Sequence, residues 1–303
     1  MARFGTILLT GVNGQVGHEL QHTLSVLGRA VALDRSQLDL SDADAIRRVV
    51  REIKPNLIIN PAAYTAVDKA ESEPELAFAI NATAPAVLAE EAAKLGATLV
   101  HYSTDYVYDG SKSLPYVETD PTNPLSVYGK SKLAGEEAIR AVGLPHLILR
   151  TSWVYGARGK NFLRTILRLA AEREQLRVVS DQMGAPTWSR SIAEATTTAM
   201  LNWQDSKSGI YHMTCAGKTS WHGFAQAILQ QYQAMQTDHN WSPLKALPDG
   251  IEAITTEQYP TPAKRPANSV LDNAKLRETF EMEMPNWQDA LSEALAEAAT
   301  PKI

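Results

Sequence analysis

The chain has 303 residues, 44% hydrophobic and 21% charged, a balance that fits a globular protein of one large or two modest domains. Its net charge of −5 gives no electrostatic reason to bind nucleic acid or an anionic membrane surface, and no apolar run approaches the ~18 residues of a membrane span. The lone Cys215 excludes an internal disulfide and suits a reducing compartment, so a cytoplasmic location is expected, with no signal peptide evident and Cys215 a small buried side chain.

Residues 6–9 read as a buried parallel strand, followed at once by the turn Gly11-Val12-Asn13-Gly14-Gln15-Val16-Gly17 and a helix-compatible segment to about residue 27. Glycines at this spacing let the chain turn tightly, let the backbone approach a pyrophosphate and let the helix pack closely on the strand. The helix N-terminus offers free N–H groups and partial positive charge to phosphates. Gly11, Asn13, Gly14 and Gly17 are therefore expected at a dinucleotide. A second apolar run, 30–33, ends in Asp34 and then Arg35. A carboxylate there accepts hydrogen bonds from both ribose hydroxyls of NAD and repels a 2′-phosphate, which Arg35 can instead bind. Use of both NADPH and NADH is expected.

Ser41, with Asp44 three residues on, reads as the cap of a helix to about residue 53. Strands are expected at 57–60 and 98–103, with an Ala-rich helix over 74–95 between them. Pro124 precedes a helix that carries Tyr128 and Lys132 and that Gly143 ends. A fifth strand covers 147–150 and a sixth 177–179. Further helices are expected at 189–201, 220–233 and 287–298, and the polar, proline-rich stretch 237–266 reads as irregular surface. Alternating strands and helices predict an α/β fold, a Rossmann-type doubly wound parallel sheet with a smaller, mixed C-terminal lobe. Residues 1–150 are expected to form the dinucleotide lobe carrying the catalytic groups, and 151–303 mainly a substrate lobe with segments returning to the sheet.

Tyr128 and Lys132 stand one helical turn apart on one face. A phenol ionises near pH ~10, and a nearby cation is expected to lower that value and make Tyr128 a proton donor to a forming alkoxide. Ligands bind at the carboxyl ends of parallel strands, and the strand ends here are polar. The third leads into Asn60-Pro61-Ala62-Ala63-Tyr64-Thr65, the fourth into Ser103-Thr104-Asp105-Tyr106 and the fifth into Arg150-Thr151-Ser152-Trp153. Thr104 can donate a hydrogen bond to a substrate carbonyl beside Tyr128. The seven His residues show no metal-ligand spacing, and His101 and His212 read as packed side chains.

Together, the glycine turn, Ser103-Thr104-Asp105-Tyr106-Val107 and Tyr128…Lys132 resemble the extended short-chain dehydrogenase/reductases. Within those, the chain is most similar to the dTDP-4-dehydrorhamnose reductases. The stretches carrying this are Asn60 to Glu71, Asn81-Ala82, Leu149 to Gly156, Asp181 to Thr187 and Arg265-Pro266-Ala267-Asn268-Ser269. The resemblance implies reduction of the 4-keto group of a dTDP-sugar by NADPH or NADH, with Thr104, Tyr128 and Lys132 catalytic. It implies cofactor contacts from Gln15, Val16, Asp34, Asp39, Leu40, Ala63, Tyr64 and Thr65, with Ala62 beside them. It places Thr104, Asp105, Tyr106 and Trp153 near the sugar, and Arg265 and Asn268 at the nucleotide diphosphate, a surface salt bridge being the alternative for Arg265. Some members dimerise through Mg²⁺ held by acidic residues, one just after a Gly-Ala-Pro-Thr turn. Here Arg190 stands at that position, although Glu293 and Glu297 lie near the C-terminus. A guanidinium repels a cation, so no metal and a monomer or metal-independent dimer are expected. Two other readings stay open: a nucleotide-sugar epimerase or dehydratase of the same superfamily, and a non-catalytic NADP-binding regulatory subunit.

Overall fold

The computed structural model describes residues 3–298; Met1, Ala2 and residues 299–303, the end of the expected second lobe, lie outside the described residues. In chain order the main elements are β1 (Thr6–Leu9), α1 (Gln15–Thr23), β2 (Arg29–Ala32), α2 (Ala43–Ile53), β3 (Leu57–Asn60), α3 (Pro74–Phe78), α4 (Ala84–Leu95) and β4 (Thr98–Thr104). They continue with α5 (Val127–Val142), β5 (His146–Thr151), α6 (Phe162–Glu172), β6 (Leu176–Val179), α7 (Ser189–Leu201), β7 (Gly209–His212), α8 (Trp221–His239), β8 (Ile251–Ile254) and α9 (Trp287–Ala298).

Six strands form one parallel sheet in the order β7-β5-β4-β3-β1-β2. Successive side chains of a strand point to opposite faces, so a strand covered on both sides must be apolar throughout. On one face Ile7, Leu9, Leu57, Ile59, Leu147 and Leu149 pack beneath α1 and α7. On the other, Leu8, Ile58, Leu99 and Ile148 pack against Ile46 of α2, Leu88 of α4 and Ile139 of α5. From β1 the chain moves outward to β2, then crosses back to β3 and beyond. That reversal opens a crevice at the carboxyl ends of β1 and β3, where doubly wound sheets bind ligands.

A second core, built on Tyr155, Leu163, Phe224, Ile228, Ile251 and Leu291, joins α6, α8 and α9. Residues after 151 contribute to both cores, because α7 packs on α1 and β7 extends the main sheet.

Several local expectations are corrected. The expected sixth strand, seen as β6, leaves the main sheet and pairs with β8, which lies inside the stretch read as irregular; β7 takes the sixth place. A short, isolated pair such as β6 and β8 gives no periodic signal separable from loop. The cap of α2 is Asp42, whose carboxylate accepts from the Asp44 and Ala45 amides, while the Ser41 hydroxyl donates to Asp39. The helix expected over 74–95 is interrupted by a π-helical segment, Ala79–Thr83. There the Asn81 carboxamide bonds the Tyr64 backbone and the Ser131 hydroxyl, tying the segment to the Tyr64 loop and to α5.

Candidate active site

A cleft of about 1030 Å³ opens at the carboxyl ends of β1, β3, β4 and β5, with Ser189 and Trp221 on its far wall. Its cofactor side is shaped by backbone packing. Gly11 has φ +60, and a Cβ there would meet the Ala62 backbone at 2.8 Å; a Cβ on Gly17 would meet the Gly11 carbonyl at 2.1 Å. The turn therefore brings α1 against β1 in a way that only glycine permits. Gly14 begins α1 without a side-chain cap, so the first-turn amides stay available where Gln15, Val16 and Gly17 line the cleft. These uncapped amides and the missing side chains fit a dinucleotide diphosphate.

Arg35, Asp39, Leu40, Ala62, Ala63 and Thr65 also line the cleft, whereas Asp34 and Tyr64 do not. The Asp34 carboxylate accepts from the Ser36 amide and hydroxyl at 2.8 and 2.6 Å, bonds that hold its carboxyl below the usual range. The Tyr64 hydroxyl donates to Glu73 at 2.7 Å, away from the crevice.

Ser126 caps α5 by accepting from the Gly129 amide at 3.1 Å. A Cβ on Gly129 would lie 2.3 Å from the Tyr106 carbonyl, so a glycine here lets the first turn of α5 press against the strand end of β4. This contact brings the expected catalytic groups together: Thr104 and Tyr128 both line the cleft, the Thr104 hydroxyl is close enough to the Tyr128 phenol to bear on its ionisation, and the Tyr106 and Tyr128 rings meet edge to face at 5.6 Å. Thr104 also donates to Asp105 at 3.0 Å.

The expected tuning of Tyr128 by Lys132 is corrected. Burial pushes the phenol up to about 12, the Thr104 hydroxyl and the Asp105 charge being smaller influences of opposite sign. The same burial pulls the Lys132 ammonium down to about 8. Lys132 also lines the cleft, donating to the Tyr102 carbonyl at 2.5 Å with its Nζ 3.3 Å from His101 Nε2. Burial also pushes Asp105 up to about 6.

Behind Lys132, Glu136 forms two hydrogen bonds with Arg150 at 2.9 and 2.6 Å, accepts one from Ser103, and contributes a charge that favours the ammonium.

On the substrate side, Asp105, Tyr106 and Trp153 line the cleft. Arg265 and Asn268 lie outside that lining. Arg265 makes the alternative salt bridge, to Asp68 at 2.8 Å, and the Asn268 amide pins the Lys112 carbonyl at 2.7 Å.

Among the lining residues that no sequence motif pointed to are Trp221, Arg158 and Lys160. No motif marks them, since Trp221 reaches the cleft from the second core, and the two cations sit in a loop around Gly159, whose φ is +70. His212 and Cys215 are buried, His212 against the Tyr108 hydroxyl at 2.9 Å. Among the described residues no group of three His, Cys, Asp or Glu side chains is placed to hold a metal, and no helix is long and apolar enough to cross a membrane.

The model of the RmlD substrate binding domain family matches residues 5–300. A dTDP-4-dehydrorhamnose reductase of Burkholderia thailandensis is 51% identical over 94% of this chain and 96% of its own length. The crystal structure of a dTDP-4-dehydrorhamnose reductase from Clostridium acetobutylicum superposes with a TM-score of 0.88 at 38% identity, covering 96% of this chain and 98% of that one. The Bacillus anthracis enzyme of the same name, solved in complex with NADP, gives 0.88 at 34% identity, covering 98% and 100%. On its glycine turn, its Thr104–Tyr128 pair and these matches, the chain belongs to the dTDP-4-dehydrorhamnose reductase family of the extended short-chain dehydrogenase/reductases.

Proposed function

We propose that this chain catalyses the NAD(P)H-dependent reduction of the 4-keto group of dTDP-4-dehydro-β-L-rhamnose to dTDP-β-L-rhamnose, a step of dTDP-rhamnose biosynthesis. The observation that carries the reading is the juxtaposition of Thr104 and Tyr128 in a cleft that also holds the uncapped start of α1. When bound, a reduced nicotinamide dinucleotide supplies the hydride. Gly11, Gly14, Gln15, Val16 and Gly17 hold its diphosphate, and Arg35, Asp39, Leu40, Ala62, Ala63 and Thr65 line the way to its adenosine and nicotinamide ends.

The chain's own groups handle the oxygen. Thr104 donates a hydrogen bond to the carbonyl, and Tyr128 transfers its phenolic proton as negative charge develops there. A phenol held up by burial keeps its proton until that charge appears. Lys132 keeps a cation behind the phenol and compensates the phenolate that forms. Fixing these groups on β4 and α5 removes much of the entropic cost of the encounter. The second core supplies the substrate wall through Trp221, with Trp153 at the end of β5.

Superfamily dehydratases place a pair of acids after the strand-end Thr; here Asp105 is followed by Tyr106. A purely regulatory NADP-binding subunit has no use for Thr104, Tyr128 and Lys132 together. We place the enzyme in the cytoplasm, the reducing compartment that suits its lone cysteine, and as a monomer or a metal-independent dimer. The guanidinium of Arg190 bridges Glu19 at 3.2 Å and Glu297 at 2.9 Å, where it supplies the positive charge those carboxylates require.

The test follows the absorbance of the reduced nicotinamide while dTDP-4-dehydro-L-rhamnose is made in situ. Stoichiometric consumption supports the reading; turnover of the sugar with the cofactor unconsumed identifies an epimerase or dehydratase instead.

A further inference from the structure

Four polar side chains form a buried line from the cofactor strand to the catalytic helix. Thr10, after β1, is 2% exposed, Asn60 at the end of β3 and His101 within β4 are 0%, and Lys132 on α5 is 1%. Thr10 Oγ1 lies 2.6 Å from Asn60 Oδ1, Asn60 Nδ2 lies 3.2 Å from His101 Nδ1, and His101 Nε2 lies 3.3 Å from Lys132 Nζ.

Donor and acceptor capacity gives this line a direction. An ammonium has three donors and no acceptor. Nε2 facing it must therefore be bare, so the neutral ring carries its proton on Nδ1. That proton needs an acceptor, which is the carboxamide oxygen of Asn60; its NH₂ then donates to Thr10. This turns the carboxamide over from the orientation in which Oδ1 faces Thr10 and Nδ2 faces His101, and exchanging the oxygen and nitrogen leaves its shape unchanged. The opposite direction fits only a neutral Lys132, accepting from an Nε2–H.

We propose that His101 is a positioning residue for Lys132: oriented by Asn60 and Thr10, its Nε2 accepts from the ammonium and holds it charged and fixed beside Tyr128. The proposal rests on the reading of Lys132 as part of the catalytic site. The groups bearing on Lys132 are His101 from β4 and Glu136 on its own helix, Glu136 being locked to Arg150 of β5. Burial and the Lys132 charge both hold His101 well below its ordinary value, so the ring stays neutral and able to accept. Because Gly11 follows Thr10 directly, the line also ties the cofactor turn to the catalytic lysine.

Two measurements test it. The first is ¹⁵N-edited NMR of the histidine-labelled enzyme at neutral pH without substrate, with His101 assigned through His101→Gln. The expected state is Nδ1 protonated and Nε2 bare; an Nε2–H tautomer overturns the proposal. The second is the pH profile of kcat. His101→Leu should cut kcat roughly tenfold and move the alkaline limb down by about one pH unit, the loss of a hydrogen bond to a charged group. His101→Gln, whose amide oxygen can accept in place of Nε2, should restore most of both. A folded His101→Leu enzyme with the wild-type limb overturns the proposal, and so does a His101→Gln enzyme whose limb is displaced as far as that of Leu. If His101→Leu does not fold, the glutamine variant and the tautomer decide. Should no preparation oxidise NADPH, the functional reading fails, and the tautomer still decides the placement of His101.

Discussion

The indole of Trp153 lies 3.6 Å from that of Trp221 and 9° from parallel, joining the end of β5 to the first residue of α8. Trp153 reaches this position with φ 47, a conformation costly for a bulky residue, and a Cβ on Gly184 would come within 2.4 Å of its ring. Gly184→Ala should lower stability by about 1–3 kcal/mol, the usual cost of overpacking a closed site. It should also change the near-ultraviolet circular dichroism of the tryptophans. Trp221→Ala should raise KM for the nucleotide sugar while leaving the Kd for NADPH unchanged; equal losses in both would remove Trp221 from the substrate wall.

Tyr128→Phe removes the phenolic proton and preserves the ring that meets Tyr106. Turnover should fall by about 10²–10⁴, the range for losing a general acid, with NADPH affinity nearly intact by fluorescence titration. Lys132→Ala should damage both. Near-native turnover in the phenylalanine variant would assign the proton to another group.

Lys132 also makes stability depend on pH. Its folded value is about 8 against an ordinary 10.5, so between those limits the unfolded chain binds the extra proton and stability rises with pH. Below pH 8 the burial cost of the ammonium is fully present, about 3 kcal/mol at ~1.4 per unit. Urea midpoints of the wild type and Lys132→Met, taken between pH 7 and 10, check this. The wild type should gain on the variant as pH rises, and a constant difference would mean that Lys132 keeps its proton throughout.

Arg35 and Asp34 differ in what they can offer a cofactor. The Asp34 carboxylate is engaged by Ser36, while Arg35 is 73% exposed, lines the cleft and holds Asp39 only at 3.4 Å. Arg35→Ala should raise KM for NADPH about tenfold or more, the worth of a charge-assisted contact, and KM for NADH much less. Equal effects would place the 2′-phosphate elsewhere.

Arg190 leads to the last expectation. Sedimentation velocity and NADPH oxidation should be the same in excess EDTA and in millimolar MgCl₂. A dimer that dissociates and loses activity on chelation would show that a metal acts despite the guanidinium between Glu19 and Glu297.

The amino-acid sequence by itself determined five strands of the central sheet, the glycine turn and the placing of Tyr128 and Lys132 one helical turn apart, because these rest on local rules. Apolar runs such as residues 57–60 are legible as strands buried on both faces, a glycine triplet carries its own steric reason, and a spacing of four defines a helix face. The short pairing of Leu176–Val179 with Ile251–Ile254, the arrival of Trp221 in the cleft and the Asp68–Arg265 salt bridge join residues about 70 to 200 apart, and only the tertiary structure decided them. So too with the electrostatics. Spacing placed a cation near a phenol, but burial set the direction of both shifts, and His101 became Lys132's neighbour only once β4 and α5 had packed together. Desolvation depends on everything that surrounds a group, and a spacing in the chain carries no record of that surrounding.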